Sequence, residues 1–291
     1  MTTVHQFSSL SQARSRDSTS RKEFIEVEKN VKLHITDLGE GKPVVLIHGW
    51  PLSDAMYEYQ YAELIQKGYR VIGITLRGFG KSDKPYGQYN FDIFADDIKV
   101  TLEELGIQDA VLGGFSMGGA IATRYMVRHN GEHIRKLALF GAATPKWTSG
   151  ENYPFGFTQE EVNAMIEQSQ TNRAALYTTF GSIFAATETS LPAGLDRWLV
   201  TIQWEASPYA VTQCLIALRD GDQRAELSAI KVPVAIFHGV QDKIVPFSIG
   251  EQAQQLFENA YLVRFENSGH GLFVEEREKF NQELITFLET R

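Results

Sequence analysis

The chain reads as an α/β protein: a mostly parallel, eight-stranded sheet covered by helices on both faces, with a helical insertion late in the chain. Three observations predict this. Continuous apolar runs such as "KPVVLIHGW" and "DAVLGGF" have the length and composition of strands buried on both faces. Helix-period segments alternate with them, which implies parallel strands joined by crossover helices. The alternation lapses between about 146 and 227 and then resumes, so one α/β body with an inserted helical segment fits better than two independent domains.

Taken in order, the first twenty residues are polar, rich in Ser and Thr and without periodicity, and residues 1–21 are expected to form a disordered tail. "EFIEVE" and "VKLHITD" alternate apolar and polar residues around "KN", a hairpin pattern. "KPVVLIHGW" is the first buried strand, residues 53–68 a helix, and "YRVIGITL" the next buried strand. Asn90 is placed to cap a helix whose Phe94, Ile98, Leu102 and Leu105 share one face. "DAVLGGF" (strand), "MGGAIATRYMVRHN" (helix) and "IRKLALFGAA" (strand) complete the first body segment, residues 22–145. The insertion, 146–227, holds helical stretches such as "TQEEVNAMIEQSQ" and "GLDRWLVTIQW", read as a cap over the sheet. Residues 228–291 return to the body with "VPVAIFHG", a helix over 248–258, "AYLVRF" and a last helix through Phe280, Leu284 and Leu288.

Composition narrows the function. With 291 residues, 43% hydrophobic and 22% charged, the chain is long enough to bury a large core. A formal net charge of −8 without Lys/Arg blocks argues against a nucleic-acid surface, and no apolar run is long enough to span a membrane. Cys214 is the single cysteine, which excludes an intramolecular disulfide; it sits in a helix-like apolar stretch and reads as a buried small hydrophobe. No secretory signal is visible, and a cytoplasmic location is expected.

The chemistry centres on "VLGGFSMGGA", residues 111–120. Gly114-Phe115-Ser116-Met117-Gly118 matches G-x-S-x-G, a pattern that arises by chance about once in ten chains of this size. Here it lies between a buried strand and a helix, where a sharp turn pushes the serine hydroxyl out at the carboxyl edge of the sheet. A serine needs a base to take its proton. Of seven histidines, His5 lies in the tail, His34 in an early strand, and His129 and His133 at the far end of the following helix. His48 and His238 end strands and pack beside their turns. His270, in "ENSGHGLFVEE", follows the last strand at the serine's edge and is the expected base. Asp242, after the penultimate strand, is its expected partner, with Asp222 the rival inside the insertion. The N–H of Met117 is one expected oxyanion donor, and that of Trp50 the second.

With "LIHGWPLS", "GYRVIGITLRGFGKSDKP", "VLGGFSMGGAIATRY", "HGVQDKIVP" and "NSGHGLF" in this order, the chain resembles the α/β-hydrolase superfamily, and within it the cofactor-free (non-haem) haloperoxidase and aryl-esterase group. That resemblance implies Ser116 as nucleophile, His270 as base, Asp242 as its partner, and Trp50 and Met117 as oxyanion donors. One departure is Thr75-Leu76, where such relatives carry Asp-Arg. It also implies a side reaction in which hydrogen peroxide replaces water. Relatives acting as dehalogenases or epoxide hydrolases carry Asp at the nucleophile position, which Ser116 disfavours.

The expected activity is hydrolysis of small apolar or aryl carboxylic esters. Ten aromatic residues fall in the 63 positions 147–209, and Trp50, Phe115 and some of Phe155, Phe184, Trp198 and Trp204 are expected to line an apolar pocket. No metal-ligand cluster or nucleotide fingerprint appears, so no cofactor is expected. The partners are a small ester and, for the side reaction, peroxide; a homo-oligomer is open. Two alternatives use other chemistry: a carbon–carbon hydrolase or lyase on the same triad, and a non-catalytic ligand receptor.

Overall fold

Residues 21–290 are described by the computed structural model. Apart from Arg21, whose guanidinium donates to the Asp37 carboxylate at 3.1 Å, the tail expected over 1–21 lies outside the described residues.

Strands β1 (Phe24–Glu28) and β2 (Val31–Leu38) form the hairpin, turning through Asn30 at φ 64°. Asn tolerates that left-handed conformation better than most residues, which is the physical content of the "KN" turn. β3 (Lys42–Ile47), β4 (Tyr69–Ile74), β5 (Ala110–Phe115), β6 (Ile134–Phe140), β7 (Val234–Gly239) and β8 (Ala260–Phe265) follow. The described residues form one eight-stranded sheet in the order β1-β2-β4-β3-β5-β6-β7-β8, parallel from β4 to β8, with β2 antiparallel to both its neighbours.

Burial on both faces explains the unbroken apolar runs. Along β3, Val45 and Ile47 join the core beneath α2 (Phe91–Glu104), α3 (Met117–Arg128) and, further along the sheet, the later helix Phe247–Leu256. Val44 and Leu46 point the other way, into a core shared with α1 (Glu58–Gln66) and the C-terminal helix Arg277–Glu289. The expected helix over 53–68 is shorter than predicted, because residues Asp54–Tyr57 wind as a tighter 3₁₀ turn before α1 begins. Asn90 caps α2 as expected, its side-chain oxygen accepting from Ile93 N at 3.0 Å.

Four helices, α4 (Gln159–Thr171), α5 (Arg173–Phe184), α6 (Ala193–Trp204) and α7 (Pro208–Asp220), lie between β6 and β7 among the described residues. α4 opens with a capping box between Thr158 and Glu161, and α7 with Ser207 followed by Pro208 at its first position. The chain closes with α8 (Phe247–Leu256), the short α9 (Leu272–Glu275) and α10 (Arg277–Glu289). No helix of the described residues is long and apolar enough to cross a membrane.

Parallel pairing aligns the carboxyl ends of β3, β5, β6, β7 and β8, since Ile47 pairs with Gly114, Phe115 with Phe140, Phe140 with Phe237, and Gly239 with Phe265. Each strand therefore delivers its following loop to the same rim.

Candidate active site

Ser116 occupies the turn between β5 and α3 with φ 54° and ψ −120°, a conformation that costs a non-glycine residue about 1–3 kcal/mol. Neighbouring bonds hold it there. Ser116 N donates to Phe140 O at 2.9 Å, and Ser116 O accepts from Ala143 N and Gly119 N, each at 3.0 Å. The flanking glycines are needed for close approach. A Cβ on Gly114 would stand 2.3 Å from Gly118 O, and one on Gly118 would stand 2.4 Å from His48 O. The turn leaves Ser116 just before the first helical residue, where N–H groups have no intrahelical partner. Among the described residues, the N–H groups of Met117 and Trp50 both remain without an acceptor.

The loop after β8 places His270 against the loop after β7. His270 Nδ1 is 2.7 Å from Asp242 Oδ2, while Asp242 Oδ1 accepts from Ile244 N and Val245 N, each at 2.8 Å. Both residues are buried. A carboxylate fixed by two backbone donors can only accept at its second oxygen, so the shared proton resides on Nδ1, and in the neutral imidazole that tautomer leaves Nε2 as the acceptor. Phe115 packs against the imidazole with ring centroids 4.6 Å apart, and Phe184 meets it edge-on at 5.8 Å. Phe184 O, at the end of α5, also accepts from His270 N (2.8 Å) and Gly271 N (3.1 Å). Glu275 adds a second fastening: its carboxylate accepts from Gly269 N at 2.8 Å and from Ala186 N at 2.7 Å. Burial raises the Glu275 pKa from its ordinary value.

Ser116 and His270 line one cavity, closed by Trp50, Pro51, Leu52, Ala143, Trp147, Phe180, Phe184, Gln203, Leu218 and Ile244. Its water-accessible space is about 30 Å³, room for about two water molecules. Both indole N–H groups in its wall are already engaged, Trp50 with Val211 O at 3.1 Å and Trp147 with Ile244 O at 2.8 Å.

Residues 42–277 match the family described as the alpha/beta hydrolase fold. The chain belongs to the α/β-hydrolase fold family. It is 43% identical over 264 residues to an AB hydrolase superfamily protein, YisY, of Bacillus subtilis (strain 168), covering 91% of this chain and 98% of the relative. It is 30% identical to a non-heme haloperoxidase of Rhodococcus erythropolis, over 92% of this chain and 99% of that one. Among solved structures, an esterase from Exiguobacterium antarcticum superposes with a TM-score of 0.89 at 40% identity, covering 92% of this chain and 99% of the other.

Within this α/β hydrolase, Ser116, Asp242 and His270 are brought to one rim, and the two other histidines that end strands, His48 and His238, are engaged elsewhere. His48 is fully buried between Gly49 O (2.9 Å from Nδ1) and Leu76 N (3.0 Å from Nε2), and burial lowers its pKa to about 4. His238 approaches Val245 O at 2.7 Å, and burial lowers its pKa as well. The rival Asp222 is held on the surface by Arg224 (2.7 Å) and Lys146 (3.3 Å). Cys214 is buried, and burial raises its thiol pKa. Thr75, at the departure from the relatives' Asp-Arg, donates its hydroxyl to the buried Asp54 carboxylate, which also accepts from Tyr61 at 2.9 Å.

The pocket expectation needs correction. Phe115 does not line the cavity, because the same pleat that exposes Ser116 turns its ring down onto Phe273 (5.1 Å) and His270. Phe155 packs on Tyr153 at 5.1 Å, Trp204 is exposed, and Trp198 faces a surface groove; of the six aromatic residues named, Trp50 and Phe184 are at the cavity. Trp147 and Phe180 take the other places, and so does Gln203. One signal for Gln203 was readable: it shares the buried face of α6 with Leu199 and Ile202, at the spacing of an apolar stripe.

Proposed function

We propose that the chain is a serine hydrolase of small, apolar or aryl carboxylic esters, acting through an acyl-enzyme. The observation that carries this reading is the 2.7 Å contact of His270 Nδ1 with Asp242, on an imidazole that shares its cavity with Ser116. Nε2 of His270 takes the Ser116 proton as the hydroxyl oxygen attacks the ester carbonyl. Asp242 stabilises the resulting imidazolium and fixes its tautomer. Negative charge on the former carbonyl oxygen is met by the unspent N–H groups of Met117 and Trp50. His270 returns the proton to the leaving alcohol, and a water activated by the same imidazole releases the acid. The helices α5–α7 act as the cap. Their Phe180, Phe184 and Leu218 favour apolar substituents, and the narrow space favours an acetyl-sized acyl group.

The esterase of Exiguobacterium antarcticum supports the reaction class. The non-heme haloperoxidase of Rhodococcus erythropolis supports a second outcome at the same acyl-enzyme. Hydrogen peroxide in place of water yields a peracid and free serine; the peracid then oxidises bromide to hypobromite and leaves the carboxylate.

Ser116→Ala is expected to abolish turnover of 4-nitrophenyl acetate while leaving the circular-dichroism spectrum unchanged. Retained turnover in that variant rejects the mechanism. Monitoring bromination with peroxide and bromide in the same preparation measures the second outcome.

A further inference from the structure

Gln203 is 8% exposed, and its Oε1 has no hydrogen-bond partner among the described residues. It lines the cavity that holds Ser116 and His270. Its main chain is anchored independently, since Gln203 O accepts from the Tyr177 hydroxyl at 3.2 Å and from Ala206 N at 3.2 Å. The side-chain amide is therefore not needed to place α6, and nothing among the described residues satisfies its oxygen. A buried acceptor left open is costly, and leucine in the same space would avoid that cost. With the indoles of Trp50 and Trp147 committed to main-chain carbonyls, Gln203 is the one unspent polar side chain in the wall besides Ser116 and His270, among the described residues.

We propose that Gln203 is a specificity-determining residue that recognises a hydroxyl group carried by the ester substrate. The inference rests on the ester-hydrolase reading and narrows it to small hydroxy-substituted esters. A carboxamide suits this role because it offers an acceptor and two donors, and a hydroxyl can give to the first and take from the second. An analogue with a methyl group in place of the hydroxyl fills the same volume but leaves the amide unpaired, and is disfavoured on that account.

The test compares isosteric pairs in a pH-stat. Methyl lactate against methyl isobutyrate places the hydroxyl in the acyl half; 2-hydroxypropyl acetate against isobutyl acetate places it in the alcohol half. For each pair the ratio of kcat/KM is measured in the wild type and in Gln203→Leu, so that intrinsic reactivity cancels. In at least one pair, the wild-type ratio is expected to exceed the variant's by about tenfold or more, and the responding pair identifies the half that carries the hydroxyl. Gln203→Met repeats the measurement should the leucine variant fold poorly. Thermal melts give an independent readout, because removing an unpaired buried amide raises Tm whereas removing an internally bonded one lowers it. Ratios that agree within twofold between wild type and variants for both pairs overturn the inference and leave the esterase reading intact. No turnover of any ester by the wild type overturns both.

Discussion

Gly118 shows how little freedom single positions have at this rim. Its missing side chain lets α3 begin against the end of β3, where a Cβ would lie 2.4 Å from His48 O and 2.5 Å from Ile47 O. Both obstacles are backbone atoms in a strand and its turn, so they cannot swing aside. Gly118→Ala is expected to destabilise the fold by more than about 4 kcal/mol, read from urea unfolding, or to prevent soluble expression. The glycine spacing around Ser116 was legible in the sequence because the turn needs those residue types whatever the surroundings. The fate of Phe115 was not. Its neighbour in the chain faces the cavity, but strand alternation sends Phe115 itself to the opposite side, onto Phe273.

The proposed base is held by elements beyond its own loop. His270 belongs to the segment between β8 and α9, yet its backbone N–H is held by Phe184 O at the end of α5. Glu275 of α9 joins the same two regions through Gly269 N and Ala186 N. Glu275→Ala leaves both N–H groups without that acceptor, and a small displacement of the imidazole follows. The expected result is a kcat lowered about ten- to a hundredfold, with KM changed much less. Amide exchange at Gly269 and Ala186 should accelerate in parallel, and Glu275→Gln should recover part of the rate by restoring an acceptor. Strands and most helices were readable from periodicity and caps, including Asn90 and the α6 stripe. These fastenings were not readable, because they join residues some 80 to 90 positions apart by a backbone oxygen and a carboxylate that carry no pattern of their own.

At the scale of the whole molecule, buried histidines tie stability to pH. The unfolded chain protonates His48 near 6.5, whereas burial holds the folded form neutral down to about 4. Between those values the unfolded state binds more protons, so stability is complete above about pH 6.5 and declines as the pH falls towards 4. The full contribution is on the order of 3 kcal/mol. His238, also lowered by burial, acts in the same direction. Urea unfolding at several pH values between 4.5 and 7.5 should show this slope, and a His48→Asn variant, though less stable overall, should show a flatter one. Sequence reading placed His48 beside its turn without revealing that it accepts from Leu76 N, since that contact depends on where β3 and β4 end together. The shared carbonyl of Phe184 has a further bearing on traffic through the cavity. Peeling α5 away to admit a bulky guest would drag residue 270 off its mark, so under the proposed mechanism a widened chamber would be an idle one. Guests must instead arrive by a route that leaves that helix end seated.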